Sequence, residues 1–155
     1  MRRRIAGSPQ DTNLGTALPE VPNEHHVSHL IGRSKIHDED DRIDGSAFCL
    51  RDREEYLSVN WLEFLQLANR EEQIQEVRKV LQKKMKQIGA TSILAVLNVG
   101  ITKEAVSHRT KIRFLHDPSK IDFSHSGIFD LIEEEKAVIG DLIAESVQER
   151  FPARN

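Results

Sequence analysis

The sequence of 155 residues has little cysteine, few aromatic residues and no long hydrophobic run. Its single cysteine, Cys49, cannot form an internal disulfide, so stability must come from a buried core, as in proteins of reducing compartments. No apolar run reaches the roughly 18 residues that a transmembrane helix needs. The arginines at positions 2–4 are not followed by the apolar stretch of a signal peptide. The sequence therefore predicts a cytoplasmic protein with no membrane association.

Charged residues make up 30% of the chain. The net charge is only -3, so positive and negative charges nearly balance. A nucleic-acid-binding domain is usually basic, with a pI above about 9. We therefore predict no general nucleic-acid binding. Glycine-rich phosphate loops and the Gly-x-Ser-x-Gly nucleophile elbow are also missing. Nucleotide hydrolysis and serine hydrolysis by those routes are excluded, and no cofactor is predicted.

The apolar content is nevertheless sufficient for one folded domain. Leu, Ile, Val and Phe together lie above the roughly 20% below which chains tend to stay disordered. The length is that of a single domain with one core. Residues 1–24 hold three of the five prolines and no periodic apolar pattern, which predicts a flexible N-terminal tail. Residues 25–155 are then predicted to form the domain.

Apolar spacing predicts two long amphipathic helices, one over residues 70–88 and one over 131–151. A shorter helix is predicted over 61–68, with Asn60 as its N-cap. Residues 27–31 fit a helical stripe or a short strand, and we favour the strand. Further strands are predicted at 46–51, after the Asp44–Gly45 turn, and at 92–99, 111–116 and 126–129. The expected fold is α+β, a small and mostly antiparallel sheet packed by two long amphipathic helices.

Two patterns suggest a metal site, and both are incomplete. His25 and His29 are four residues apart, a spacing that could share one metal ion on a helix, but no third ligand is placed by the sequence. The acidic turn from Asp40 partly matches a calcium loop, but Arg42 and Arg51 occupy positions that need oxygen ligands. We therefore predict no metal.

Two histidine triplets support an enzymatic hypothesis. His26 begins His-Val-Ser and His108 begins His-Arg-Thr, which resembles the two-histidine phosphoesterase pattern. The cations after His108 depart from that pattern, which has apolar residues beside the hydroxyl. In this hypothesis His26 and either His108 or His125 act as general base and general acid on a phosphodiester or nucleotide.

A candidate binding site is predicted from polar residues within apolar segments. Ser58, Asn60 and Trp61 lie in the most apolar stretch of the chain, and Ser124 precedes His125 at the start of a predicted strand. Buried polar groups must be hydrogen-bonded, so these residues either line a site or satisfy local backbone groups.

The chain also resembles a family of short uncharacterised bacterial proteins. The resemblance rests on the segment YLSVNWLE at 56–63 and more weakly on Asp44–Gly45 and SHSGI at 124–128, and it covers about residues 26–130. It implies a bacterial origin and an independent domain, and it implies no activity.

No complete catalytic constellation emerges from these patterns. The predicted helix over 70–88 and the tail would instead offer contact surfaces. We therefore predict a non-catalytic binding or accessory module that acts through a protein partner. The alternative is the small histidine-dependent enzyme.

Overall fold

The computed structural model describes residues 18–155, in which six antiparallel strands form one sheet in the order β4-β5-β2-β1-β3-β6. The strands are β1 (His26–Ile31), β2 (Leu57–Trp61), β3 (Ile93–Asn98), β4 (Arg113–His116), β5 (His125–Phe129) and β6 (Glu149–Pro152). The helices are α1 (Arg70–Lys84), α2 (Val99–Val106) and α3 (Lys136–Glu145). None of the helices in this part of the chain is long and apolar enough to cross a membrane.

Two apolar cores lie on opposite faces of the sheet, because side chains alternate along each strand. On one face, which we call the α1 face, Ile74 and Val77 of α1 pack with Leu94 and Val96 of β3. The opposite face, the α3 face, carries the larger core. It contains Val27, Val59, Leu97, Phe114 and Ile128 from the strands, and Phe48, Ile139 and Ile143 from the layer above them.

The predicted fold class is confirmed, since the fold is α+β with an antiparallel sheet. The predicted strands at 27–31, 92–99, 111–116 and 126–129 correspond to β1, β3, β4 and β5. A helix lies in the segment 70–88, but it is 15 residues long and ends at Lys84, so the predicted long helix is not confirmed.

The strand predicted at 46–51 is wrong. Gly45–Phe48 is instead a 3-10 turn, because the Asp44 carboxylate accepts a hydrogen bond from the Ser46 N–H at 3.0 Å and caps it. The φ angle of Gly45 is not positive, so its backbone conformation does not require glycine. Glycine is required because the backbone passes close to α3 at this point. A Cβ atom at Gly45 would lie 2.1 Å from the Asp141 Oδ1 atom.

The short helix predicted over 61–68 is also wrong, and Asn60 is not a helix cap. Leu57–Trp61 forms β2, and only Glu63–Leu65 makes a 3-10 turn. The N-cap of α1 is Asn69, whose side chain accepts from the Glu72 N–H at 2.9 Å. Pairing of β2 with β1 and β5 therefore outweighs the local capping signal.

The second long helix, predicted over 131–151, is not confirmed. Within the predicted segment 131–151, α3 is the only α-helix. It is 10 residues long and buries the apolar side chains of Ile139 and Ile143. Glu149–Pro152 leaves the helix and pairs with β3 as the edge strand β6. The sequence prediction does not include α2, for which the local signal is Asn98, whose side chain accepts from the Ile101 N–H and caps the helix.

The predicted tail boundary at residue 24 falls within a segment that packs on the sheet. Val21 is buried, and its N–H donates to the Phe114 carbonyl of β4 at 2.8 Å. The His116 N–H likewise donates to the Pro19 carbonyl at 2.8 Å. Residues 1–17 of the predicted tail lie outside the described residues.

Ser28 of β1 gives a first prediction. Its hydroxyl is buried on the α1 face and has no hydrogen-bond partner among the described residues. An unpaired buried hydroxyl costs about 1–3 kcal/mol. Ser28→Ala should therefore raise the free energy of unfolding by about 1 kcal/mol, measured by urea denaturation. Ser126→Ala is the matched control, because that buried hydroxyl donates to the Ser124 carbonyl at 3.1 Å and its loss should not stabilise the fold.

His29 of β1 lies between two backbone carbonyls, and its ring nitrogens are 2.9 Å from the oxygens of Ser58 and Ala47. A neutral imidazole has one N–H, so it can donate to only one of these oxygens. Burial lowers the pKa of His29 below its ordinary value of 6.5, although the two carbonyls and the Glu54 carboxylate favour the cation.

This lowered pKa gives a second prediction. The unfolded chain takes up the proton near pH 6.5, before the folded protein does, so the free energy of unfolding should fall as the pH drops through about 6.5. It should level off below the folded-state pKa. Denaturation between about pH 8 and pH 5 measures this slope, and His29→Gln should reduce it. An unchanged slope in His29→Gln would show that other groups cause the pH dependence.

Candidate functional site

Chemically active side chains collect at one end of the sheet. β1 and β5 begin there, at His26 and His125, and β2 and β4 end there, at Trp61 and His116. This follows from antiparallel pairing, in which the start of one strand lies beside the end of its neighbour. With His25, which precedes β1, four of the chain's seven histidines lie at this end.

Two of the predicted binding residues, Asn60 and Ser124, belong to a buried polar network centred on Asp122. The Asn60 amide donates to the Asp122 Oδ1 atom at 2.8 Å and to the Ser124 hydroxyl at 2.9 Å. The ammonium of Lys84, at the end of α1, lies 2.8 Å from the Asp122 Oδ2 atom. The Asp122 side chain is fully buried, so this network attaches the 117–124 loop to α1.

Trp61, the third predicted binding residue, is part of a cluster of rings. Its indole N–H donates to the His25 Nδ1 atom at 3.0 Å. The Trp61 ring centroid lies 5.3 Å from that of Phe64 and 5.1 Å from that of His116. The Phe64 and His116 rings are 4.5 Å apart, and His116 Nε2 donates to the Phe123 carbonyl at 2.8 Å. We call these five residues, His25, Trp61, Phe64, His116 and Phe123, the aromatic end.

Large hydrophobic side chains are exposed around the aromatic end. Within residues 18–155, three of the seven exposed large hydrophobic residues lie here: Phe64, Ile121 and Phe123. Ile121 is 61% exposed and Phe123 is 66% exposed, and they flank the buried Asp122. The loop therefore turns its carboxylate inward and its two apolar side chains outward.

Charges of both signs lie beside this surface. The carboxylates of Glu63 and Asp122 are paired with His26 and Lys84. By contrast, Lys120, next to Ile121, and Glu24, next to His25, are exposed and form no ion pair within residues 18–155. Unpaired charges of both signs therefore border the apolar surface.

His26 forms a close pair with Glu63. Its Nδ1 atom lies 2.5 Å from Glu63 Oε2, and its backbone N–H donates to Glu63 Oε1 at 2.7 Å. Burial raises the pKa of Glu63, but the hydrogen bonds from His26 outweigh it, and the net pKa is below the ordinary value. The carboxylate therefore stays ionised and orients the imidazole.

His125 makes different contacts. Its Nδ1 atom lies 2.8 Å from the Asp117 carbonyl oxygen, and its Nε2 atom lies 3.2 Å from the Ser58 hydroxyl. Ser58, the fourth predicted binding residue, is exposed on β2. The predicted group of Ser58, Asn60, Trp61 and Ser124 is thus divided between the His125 contact, the Asp122 network and the aromatic end.

The structure does not bring the three predicted catalytic histidines together. The strand β2 lies between β1 and β5, which carry His26 and His125, and the two histidines are offset by two residues along the strand direction. Their Cα atoms are therefore separated by roughly 12 Å. Their rings also bind different partners, Glu63 and Ser58. His108 is exposed in the turn after α2, about 12 Å of helix beyond Asn98, the cross-strand partner of His26.

Sequence reasoning missed Phe64, Lys84, His116, Asp122 and Phe123. The available signal was Ile-Asp-Phe at 121–123, in which two large apolar residues flank an acid in a loop after Pro118. Among residues 18–155 there is no group of three or more His, Cys, Asp or Glu residues that could hold a metal ion.

The Asp122 network gives a third prediction. Lys84→Met would leave the buried Asp122 carboxylate without its cation, and we expect the free energy of unfolding to fall by about 2–3 kcal/mol. The double variant Lys84→Met with Asp122→Asn should recover part of this loss, because the buried charge is gone. Lys83→Met is the matched control, since Lys83 is exposed and should change stability by less than about 0.5 kcal/mol. Equal effects at Lys83 and Lys84 would contradict the assigned role.

Comparison with known proteins assigns no family to this arrangement. No protein-family model, curated protein or solved structure matches the chain. The resemblance to short bacterial proteins in the 56–63 segment stays a prediction.

Proposed function

We propose that this chain is a binding or accessory module, and that a protein partner docks on the aromatic end. The observation that supports this most is the concentration of exposed large hydrophobic side chains around one ordered ring cluster. Single exposed apolar residues are ordinary on protein surfaces, whereas a contiguous apolar patch is typical of an interaction site.

The ring cluster suits docking because its rings are held before a partner arrives. Trp61 is held by its hydrogen bond to His25, and Phe64 packs against both Trp61 and His116. Ordering side chains on binding costs about 0.5–1.5 kcal/mol for each mobile one. Rings that are already packed avoid most of that cost, and Phe and Trp are enriched at interfaces.

The partner's chemistry follows from the exposed apolar side chains and the mixed charge around them. Lys120 and Glu24 are exposed next to the apolar surface, while the carboxylates of Glu63 and Asp122 are paired with His26 and Lys84. A partner segment with apolar side chains and flanking charges of both signs complements this surface. The net charge of -3 disfavours general nucleic-acid binding. We propose the cytoplasm as the setting, because Cys49 is a free thiol.

The alternative, a histidine pair acting on a phosphodiester, has less geometric support. A shared phosphate needs both imidazoles within hydrogen-bond reach. Instead, the His26 ring is paired with Glu63, the His125 ring contacts Ser58, and His108 lies beyond α2. Docking requires no such convergence.

The fourth prediction tests the docking surface. The double variant Phe64→Ser with Phe123→Ser should weaken partner binding about ten-fold or more, because truncating a central aromatic contact commonly costs 2 kcal/mol or more. Affinity capture from lysate with quantitative mass spectrometry would identify the partner, and titration with the purified partner would measure its affinity.

Val138→Ser is the matched control. Val138 of α3 is 40% exposed, close to the 38% of Phe64, but it lies outside the aromatic end. The control should bind as wild type does. Capture of the same proteins by wild type and by the double variant would refute the docking surface, and capture of none above a bead control would refute the proposed function.

A further inference from the structure

A hydroxyl and an imidazole meet on the half of the α1 face that α1 leaves open. Ser58 of β2 is exposed, and its hydroxyl lies 3.2 Å from the Nε2 atom of His125 on β5. We propose that Ser58 is a nucleophile activated by His125, and that it accepts an acyl group from a small activated ester. This proposal does not rest on docking at the aromatic end.

The hydrogen bonds determine which nitrogen carries the proton. The Asp117 carbonyl oxygen can only accept, so the Nδ1 atom of His125, 2.8 Å away, must donate. In the neutral ring, Nε2 then has a free electron pair. The Ser58 hydroxyl therefore donates to Nε2, which is the arrangement of a nucleophile beside its general base.

The base is held by a third residue that is itself held in place. The Tyr56 hydroxyl donates to the Asp117 Oδ2 atom at 2.9 Å, and the Asp117 N–H donates to the His125 carbonyl at 2.9 Å. The Tyr56 ring covers Gly127, because a Cβ atom there would lie 2.3 Å from the Tyr56 Cδ1 atom. Asp117 therefore orients the imidazole through its backbone carbonyl.

The nucleophile also lies on fixed backbone. Ser58 pairs with Gly127 of β5, and its carbonyl oxygen is 2.9 Å from His29 Nδ1. Its neighbours Leu57 and Val59 are buried on the α3 face. Sites on strands hold their geometry better than sites on loops. The Ser58 hydroxyl is thus exposed to solvent while its backbone is fixed.

The chemical step is a single acyl transfer. The Ser58 oxygen attacks the ester carbonyl as His125 Nε2 takes the hydroxyl proton, and a tetrahedral intermediate forms. Its collapse breaks the bond to the leaving oxygen, and the imidazolium returns the proton to that oxygen. The products are acyl-Ser58 and a free alcohol or phenol, with no oxidant or cofactor consumed.

The test uses p-nitrophenyl acetate as the probe and the full-length protein. We expect a mass increase of one acetyl group, and peptide mapping should place it on Ser58. Ser58→Ala should lose this modification. His125→Asn should slow it at least about ten-fold, because general-base assistance contributes about 10²–10⁴. The Asn amide can still donate to the Asp117 carbonyl, so the variant removes the base and keeps the orienting bond.

Ser46→Ala and Val138→Ser are the controls. Ser46 is another exposed serine, and Val138 of α3 is exposed away from Ser58 and His125 in the chain, so both variants should be acetylated at Ser58 as wild type is. Acetylation spread evenly over exposed serines and lysines, or carried by His125 itself, would overturn the proposal. If His125→Asn does not fold, peptide mapping of the acetylated wild-type protein provides the test. Ser58 should react at least about ten-fold faster than Ser34 or Ser46. Equal rates at these serines would overturn the assignment.

Discussion

The register of the three central strands is the constraint on which the rest of the structure depends. Ser28 of β1 lies opposite Asn60 of β2, and Asn60 lies opposite His125 of β5. Because side chains alternate with a period of two, a slip of one residue would move Val27 and Val59 out of the α3-face core. The burial of these two side chains therefore holds the register, and the register brings the strand ends together.

A buried ion pair then determines what the adjoining loop presents to solvent. Asp122 turns inward to Lys84 and Asn60, and its neighbours Ile121 and Phe123 must point outward. This reverses the ordinary preference for burying apolar side chains and exposing charged ones. A charge buried with its partner, beside apolar groups left in water, is consistent with a surface that is covered by another molecule.

The histidines at this end differ because their partners differ. His26 is paired with a carboxylate, whereas the rings of His116 and His125 donate to backbone carbonyls. Those partners come from distant parts of the chain, so the triplet around His26 gave no sign of them. The hydroxyl of that triplet, on Ser28, is buried, has no hydrogen-bond partner within residues 18–155 and does not assist His26. The partner of each ring therefore decides its chemistry, and sequence spacing does not.

The sequence by itself determined the fold class, the apolar stripe of α1 and the buried strand β3, because each depends on spacing within one segment. It also singled out Ser58 and His125, although not their contact. Tertiary structure decided what local signals could not. Strand pairing made residues 57–61 a strand despite the capping signal of Asn60, and β6 formed where a helix was predicted. The site depends on pairs such as Ser58 and His125, 67 residues apart, which only the folded sheet brings into contact.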